Sequence, residues 1–385
     1  MAQLTIPARS PRVYRVAVGA SFLLQGLVFS TWAARIPSIQ QKLHLSESAL
    51  GGVLLAVPVG SVLSLPLAGW LVVNYGSRTL TVAGLLLYSA MMPLLGLAET
   101  TVQLMAVLVI FGLGSNLANI SINTQAVGVE KLYGRSILAS FHGIWSLAGF
   151  IGASLGTLLI GLHIAPTLHF AGMAIAVWIG VALMRAYLIP TDPPRPDDQP
   201  LFVLPNKELL LLGILAFCSL LAEGTMFDWS GVYFKKIVQA PAAQVGLGFA
   251  AFMSTMAAGR FVADWFTNRF GRVKTLQLSG TLTTIGLTLA VALPSLVTAA
   301  LGFMLVGLGV SSVVPLVYSA AGRSRTMPAG VALAAVSTVG FAGFLLGPPV
   351  IGLVAGLSSL RVSFAIIAVM GLAVAALARP ATRER

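Results

Sequence analysis

Apolar runs of roughly 20 residues recur along the whole 385-residue chain, each long enough to cross a hydrocarbon core of about 30 Å as a helix. "KELLLLGILAFCSLLAEG" (207–224) is one of them. In lipid every backbone N–H and C=O must find its partner within the protein, so such runs fold as helices packed side by side. Only 9% of the residues are charged and 57% are hydrophobic, with a mean hydropathy of +0.93. A soluble domain carries about 25% charged residues, so this chain has too little polar surface to cover a globule in water. The expectation is an all-α polytopic membrane protein with the lipid bilayer as its partner. Forty glycines suit that class, because small residues let membrane helices approach closely.

The runs give twelve transmembrane helices, the first six at 14–37, 49–73, 79–98, 102–126, 136–162 and 168–189. The others lie at 208–232, 243–267, 274–294, 297–321, 329–354 and 360–379. Between the sets, "IPTDPPRPDDQPLFVLPNKE" is rich in Pro and Asp and does not continue a helix. The chain therefore divides into an N-terminal six-helix bundle (1–188), a cytoplasmic linker (189–208) and a C-terminal six-helix bundle (209–385). Placing both termini inside puts seventeen of the 23 Lys and Arg residues on that side, as the positive-inside rule requires. The N-terminal segment has an A-x-A-like site, but its apolar part is long for a signal core and reads as a retained first helix.

The two sets also match each other at a constant shift of 195 residues. "GWLVVNYGSR" lies over "DWFTNRFGRV", aligning Trp70 with Trp265 and Gly76 with Gly271. "FGLG" lies over "VGLG", and Gly152 falls on Gly347. Parallel repeats of this kind imply a pseudo-twofold axis along the membrane normal and a solute cavity near the midplane.

Several function classes are excluded or disfavoured. The net charge of +12 is spread in short clusters between apolar runs, without the basic stripe and aromatics of a nucleic-acid binder. A single cysteine, Cys218, rules out an internal disulfide, and the four histidines lack metal-ligand spacing, so no metal or other cofactor is expected. There is no G-x-x-x-x-G-K-[ST] loop for a nucleotide. The nearest nucleophile–base pair is His142 with Ser146, too slight to argue for an enzyme.

"GRFVADWFTNRFGRVK" (259–274), together with the repeat, resembles the major facilitator superfamily over essentially the full chain. The family signature between the second and third helices of a half is roughly G-x-L-x-D-R-x-G-R-R/K. The first half departs from it, with Val73 at the acid position and Asn74 at the base. In the second half Asn268 holds the acid position and Arg269 the base. "FHGIWSLAGFIGASLG" and "STWAARIPSIQQKL" look like bacterial inner-membrane members of the YbjJ-like group, near the fucose-permease branch. The resemblance implies a monomer in the bacterial inner membrane that moves a small polar solute by alternating access.

Charged and polar residues within the spans are candidates for that path, because each is costly in lipid. Glu223 lies about 21 Å into the seventh helix, past the midplane. A carboxyl group that meets water in one state and not another can carry the coupling proton; the plainer reading is a protonated Glu bonded to a neighbouring helix. Gln25, Asn116, Asn119, His142, Trp145 and Tyr318 are the other substrate-binding or proton-coupling candidates. The asparagines 116, 119 and 123 share one face of the fourth helix, which suits either a wet cavity or helix–helix contact. Arg35 and Asp228 are expected to form an outer gate, and Arg260, Asp264 and Arg269 a cytoplasmic latch with Arg260 and Asp264 paired at i, i+4. Trp32 and Trp229 serve as aromatic platforms or as interface-belt residues.

The function these features suggest is a proton-coupled secondary transporter (a symporter) of a sugar-like or organic-acid solute. The alternative is an efflux pump for amphipathic drugs or metabolites. A non-transporting receptor on the same fold usually adds a soluble domain, and the longest polar segment here is the 189–208 linker.

Overall fold

The computed structural model describes residues 9–134, 137–190, 192, 206–324 and 327–381. Most of the 189–208 linker lies outside them. Among the described residues all regular structure is helical, and twelve helices are long and apolar enough to cross a membrane. In chain order they are α1 (Pro11–Lys42), α2 (Glu47–Tyr75), α3 (Ser77–Leu97), α4 (Thr101–Tyr133), α5 (Ser140–Gly161) and α6 (Pro166–Tyr187). The second set comprises α7 (Leu209–Lys236), α8 (Ala242–Phe270), α9 (Arg272–Ala292), α10 (Leu296–Ala321), α11 (Val331–Leu357) and α12 (Leu360–Ala381).

The 195-residue repeat is visible in the local backbone. Gly76 and Gly271, each preceding the third helix of its set, have φ/ψ of 79/149 and 85/157, a region that only glycine enters without strain. His44 and Gln239 occupy matching positions with φ of 51 and 55. Capping boxes open α4 and α10 at Thr100–Gln103 and Ser295–Thr298, each freeing the helix start from unpaired N–H groups. Packing repeats as well. A methyl on Gly112 would lie 2.0 Å from the Val57 carbonyl oxygen, and one on Gly307 would lie 2.3 Å from that of Phe252. These are the same helix crossing, α2 on α4 and α8 on α10, made possible by a missing side chain.

Among the described residues three helices are interrupted, α8 passing from a 3-10 turn at Ala242–Gln244 to regular helix at Leu247. The segment α2 breaks at Leu55, between Glu47–Leu54 and Ala56–Tyr75. The segment α10 breaks at Ser311 and Ser312, where the Ser312 and Ser279 hydroxyls bond at 2.9 Å.

The chain divides into two compact units. The first comprises Met1–Trp32, Ala56–Gly152 and Ala165–Arg195; the second comprises Ala33–Leu55, Ala153–Ile164 and Pro196–Arg385. The end of α1, the start of α2 and the end of α5 thus pack with the second set of helices. Within that unit a Cβ on Gly51 would lie 2.6 Å from the Pro348 carbonyl oxygen, so α2 and α11 meet backbone to backbone.

Candidate functional site

In the second unit, α7 is helical without interruption from Lys207 to Lys236, which puts Glu223 just past its middle. Glu223 stands thirteen residues before the end of that helix, and Arg260 stands thirteen residues after Leu247, where regular helix resumes in α8. At 1.5 Å per residue both are about 20 Å from the connection. Antiparallel neighbours joined by a short turn therefore bring the two to one depth. There Arg260 Nη2 lies 3.4 Å from Glu223 Oε1. Their side chains keep 10% and 18% exposure for Glu223 and Arg260, so the pair is sheltered but not sealed.

This differs from the expected latch. The i, i+4 spacing offered Asp264 as the partner of Arg260, whereas the guanidinium pairs with Glu223 and Asp264 is exposed. The physical reason is cost. At mid-depth an uncompensated carboxylate is far more expensive than one at the exposed end of α8, so Glu223 has the greater need of a cation. Arg269 is exposed, one residue before the end of the helix.

Two further helices contribute to the same unit. Tyr318, on the short segment of α10 beyond the Ser311–Ser312 break, stands beside Ser337 of α11 and within electrostatic reach of Glu223. One turn from Glu223, the Phe227 ring stands 6.5 Å from Phe344, and Phe344 is 6.3 Å from Phe341. The region thus holds a carboxylate, a guanidinium and two hydroxyls beside an aromatic wall.

In the first unit, Phe22, Gln25 and Phe29 follow i, i+3, i+7 spacing along α1 and share a face. Gln25 is buried and donates from Nε2 to the Ser115 carbonyl at 3.4 Å. The exposed His142 meets the Phe22 ring edge-on at 5.3 Å, and Trp145 stands 5.6 Å from Phe29. The asparagine stripe separates into two roles. Asn116 Nδ2 donates to the Ser61 carbonyl at 3.1 Å and Ser64 Oγ at 2.7 Å, bonding α4 to α2. Asn119 is exposed, and Asn123 donates to its carbonyl at 2.8 Å. Periodicity placed all three on one face without saying what covers it.

Arg35, buried in the second unit, donates from Nη2 to the Ile164 carbonyl at 2.9 Å, just past the end of α5. Asp228 is half-buried, and among the described residues no ion pair joins it to Arg35. The carbonyls beyond a helix end lack intrahelical donors, and the guanidinium fills that need. At the same end of the unit Lys236 pairs with Glu47, and Lys235 Nζ donates to Gln41 Oε1 at 2.6 Å and to the Pro37 carbonyl at 3.2 Å. Sequence reasoning missed this lysine pair, although Glu47 follows the N-cap Ser46 where an acid favours the helix start. Trp32 and Trp229 are both buried in packed helices, not displayed at an interface.

A family model described as the Major Facilitator Superfamily matches residues 18–237 and 212–385. The chain belongs to the major facilitator superfamily. An uncharacterized MFS-type transporter of Yersinia pestis is 37% identical over 96% of both chains. An uncharacterized transporter of Sinorhizobium fredii is 32% identical over 94% of this chain and 96% of its own. Among solved structures, the nucleoside transporter NupG superposes with a TM-score of 0.73 at 16% identity, covering 97% of this chain and 100% of that one.

Near the end of α2, Val73 and Asn74 stand where the resemblance implies an acid and a base. An acid arrives from elsewhere in the first unit. Asp192 Oδ2 accepts from the Ser77 N–H at 2.7 Å, and its other oxygen accepts from the Ser77 hydroxyl. Gln125 of α4 donates to Ser77 Oγ at 2.6 Å and exchanges two hydrogen bonds with the Ile189 backbone. The carboxylate thus caps the N-terminus of α3, where the helix dipole favours negative charge.

Proposed function

We propose that this superfamily member is a secondary active transporter that moves a small polar solute, sugar-like or a weak organic acid, by alternating access. Glu223 takes and releases the coupling proton, making the protein a proton symporter. The positive-inside bias supports both termini in the cytoplasm, and the family resemblance is the ground for reading the protein as a bacterial inner-membrane monomer.

The observation that carries this reading is the Glu223–Arg260 pair at mid-depth. Breaking a buried pair by removing one charge costs about 3–5 kcal/mol, because the other is left uncompensated. A proton on Glu223 has the same effect, since it neutralises one partner and leaves Arg260 seeking an acceptor. A carboxylate or a cluster of hydroxyls on the solute supplies one, with Tyr318 and Ser337 adding neutral hydrogen bonds. Proton and solute then bind together. In the first unit, Gln25, His142 and Trp145 offer amide, imidazole and ring contacts of the kind a hydroxylated ring uses. Sugars, organic acids and, from the name of the NupG fold neighbour, nucleosides form the first screen.

The test is uptake into proteoliposomes under an imposed pH gradient, with a solute chosen by thermal-shift screening. Glu223→Gln is expected to abolish gradient-driven accumulation while retaining solute exchange between two equal pools. Accumulation at the wild-type level in Glu223→Gln would remove the proton assignment. Gradient-driven loss of amphipathic drugs from the vesicles, without sugar or acid uptake, would replace symport by efflux.

A further inference from the structure

A cavity of about 1030 Å³ lies in the second unit at the junction of α8 and α9, beside the ends of α10 and α12. Among the described residues Arg272, Lys274, Arg323 and Arg379 line it, with one carboxylate, that of Asp264. At this end of the unit four cations from three helix ends surround one volume, a concentration of positive charge that attracts an anion.

The internal repeat says what kind of anion fits. At the shift of 195 residues, Arg272 corresponds to Ser77, Lys274 to Thr79, Arg323 to Gly128 and Arg379 to Met184. The matching positions of the first set carry no cation, so the repeat's backbone does not demand all four. In the first unit the matching helix start is already occupied, because the Asp192 carboxylate sits on the Ser77 N–H. In the second unit α9 opens at Gly271 with no side-chain cap, and space within 4 Å of a Cβ built there is empty. Thr267 Oγ1, which also belongs to the lining residues, is buried and has no hydrogen-bond partner among the described residues. One repeat thus carries its own carboxylate at this position. The other presents an open cavity with guanidinium groups, an ammonium and an unpartnered hydroxyl.

We propose that this cavity binds a phosphate group, supplied by the headgroup of an anionic phospholipid at the membrane surface. Guanidinium forks match phosphate oxygens in pairs, and lysine adds a mobile point charge. Basic pockets between transmembrane helices on the cytoplasmic side hold such headgroups. The half-exposed ring of Phe270 and the side chain of Leu316 border the same cavity, giving acyl chains an apolar edge that free phosphate does not use.

Delipidated full-length protein in neutral detergent tests the assignment. Phosphatidylglycerol, phosphatidylcholine and inorganic phosphate are titrated separately, with retained lipid counted by native mass spectrometry and thermal stability read in parallel. Wild type is expected to retain phosphatidylglycerol at least tenfold more tightly than phosphatidylcholine. Arg272→Gln/Arg379→Gln should lose that preference, and Lys42→Gln, a charge change remote from the cavity, should keep it. Full displacement of the lipid by inorganic phosphate, with equal stabilisation, supports the phosphate site but makes free phosphate its ligand. Equal retention of the two lipids by wild type, or an unchanged preference in the folded double variant, overturns the proposal. Thermal unfolding of each variant without lipid establishes that it is folded.

Discussion

Glu223 and Arg260 face each other at 3.4 Å from adjacent antiparallel helices, each thirteen residues from where regular helix ends or resumes at their connection. Their equal depth follows from chain geometry alone. Their pairing follows from the expense of leaving either charge by itself in a low-dielectric interior.

That expense predicts strong coupling between the two positions. Glu223→Gln and Arg260→Met alone should each lower the unfolding free energy by about 3–5 kcal/mol, and the double variant by much less than the sum. Chemical unfolding of the four proteins in detergent measures the cycle. Additive single effects would show that the charges are stabilised by other partners.

The glycine crossings predict a contrast between positions of equal size. Gly112→Ala places a methyl 2.0 Å from the Val57 carbonyl oxygen, and Gly307→Ala repeats the collision at 2.3 Å from Phe252. Gly52→Ala meets nothing within 4 Å. The first two should lose at least about 1–3 kcal/mol through overpacking, and the third should match wild type in thermal unfolding. A Gly112→Ala protein as stable as Gly52→Ala would mean that α2 and α4 separate without cost.

The twelve spans and the repeat were legible in the sequence because each is set by residue type at a fixed interval. Gly76 and Gly271 aligned before any backbone angle was known, and both adopt the conformation that glycine alone tolerates. The site was less legible. Local spacing paired Arg260 with Asp264, whereas the observed partner lies on the preceding helix and is found only by counting both helices from their shared turn. Asp192 sat in a Pro-rich segment that marks a chain break, and its capping role depends on the chain folding back onto Ser77. The asparagine stripe showed a common face for Asn116 and Asn119, but only packing assigns one to a helix contact and the other to exposed surface.

Asp192 should be a measurable anchor. Removing an N-cap carboxylate typically costs about 0.5–2 kcal/mol. Asp192→Ala should therefore destabilise by that amount and raise hydrogen exchange at the Ser77 amide, which donates to it at 2.7 Å. Asp192→Asn keeps one acceptor oxygen and should lose less. Exchange at Ser77 that is the same in all three proteins would show that the amide is protected by something else.

The meeting of α2 and α11 within the second unit bears on transport itself. Gly51 lies with its missing Cβ 2.6 Å from the Pro348 carbonyl oxygen and 2.9 Å from Gly352 Cα, and Gly352 meets Gly51 in return at 2.7 Å. No flexible side chain lies between them, so bulk at either position holds the two backbones apart. Under the proposed alternating-access cycle this contact forms and breaks in every turn, because the segments around it belong to opposite sets of helices. Gly51→Leu and Gly352→Leu should therefore leave the helices inserted and the protein folded, yet abolish net uptake by keeping this end apart. Cysteine at Ser48, whose hydroxyl donates to the Gly352 carbonyl at 3.3 Å, reports the change as faster labelling by a membrane-impermeant maleimide. Normal uptake by Gly51→Leu, or labelling as slow as in the Gly51 parent, would show that transport proceeds without closing this contact.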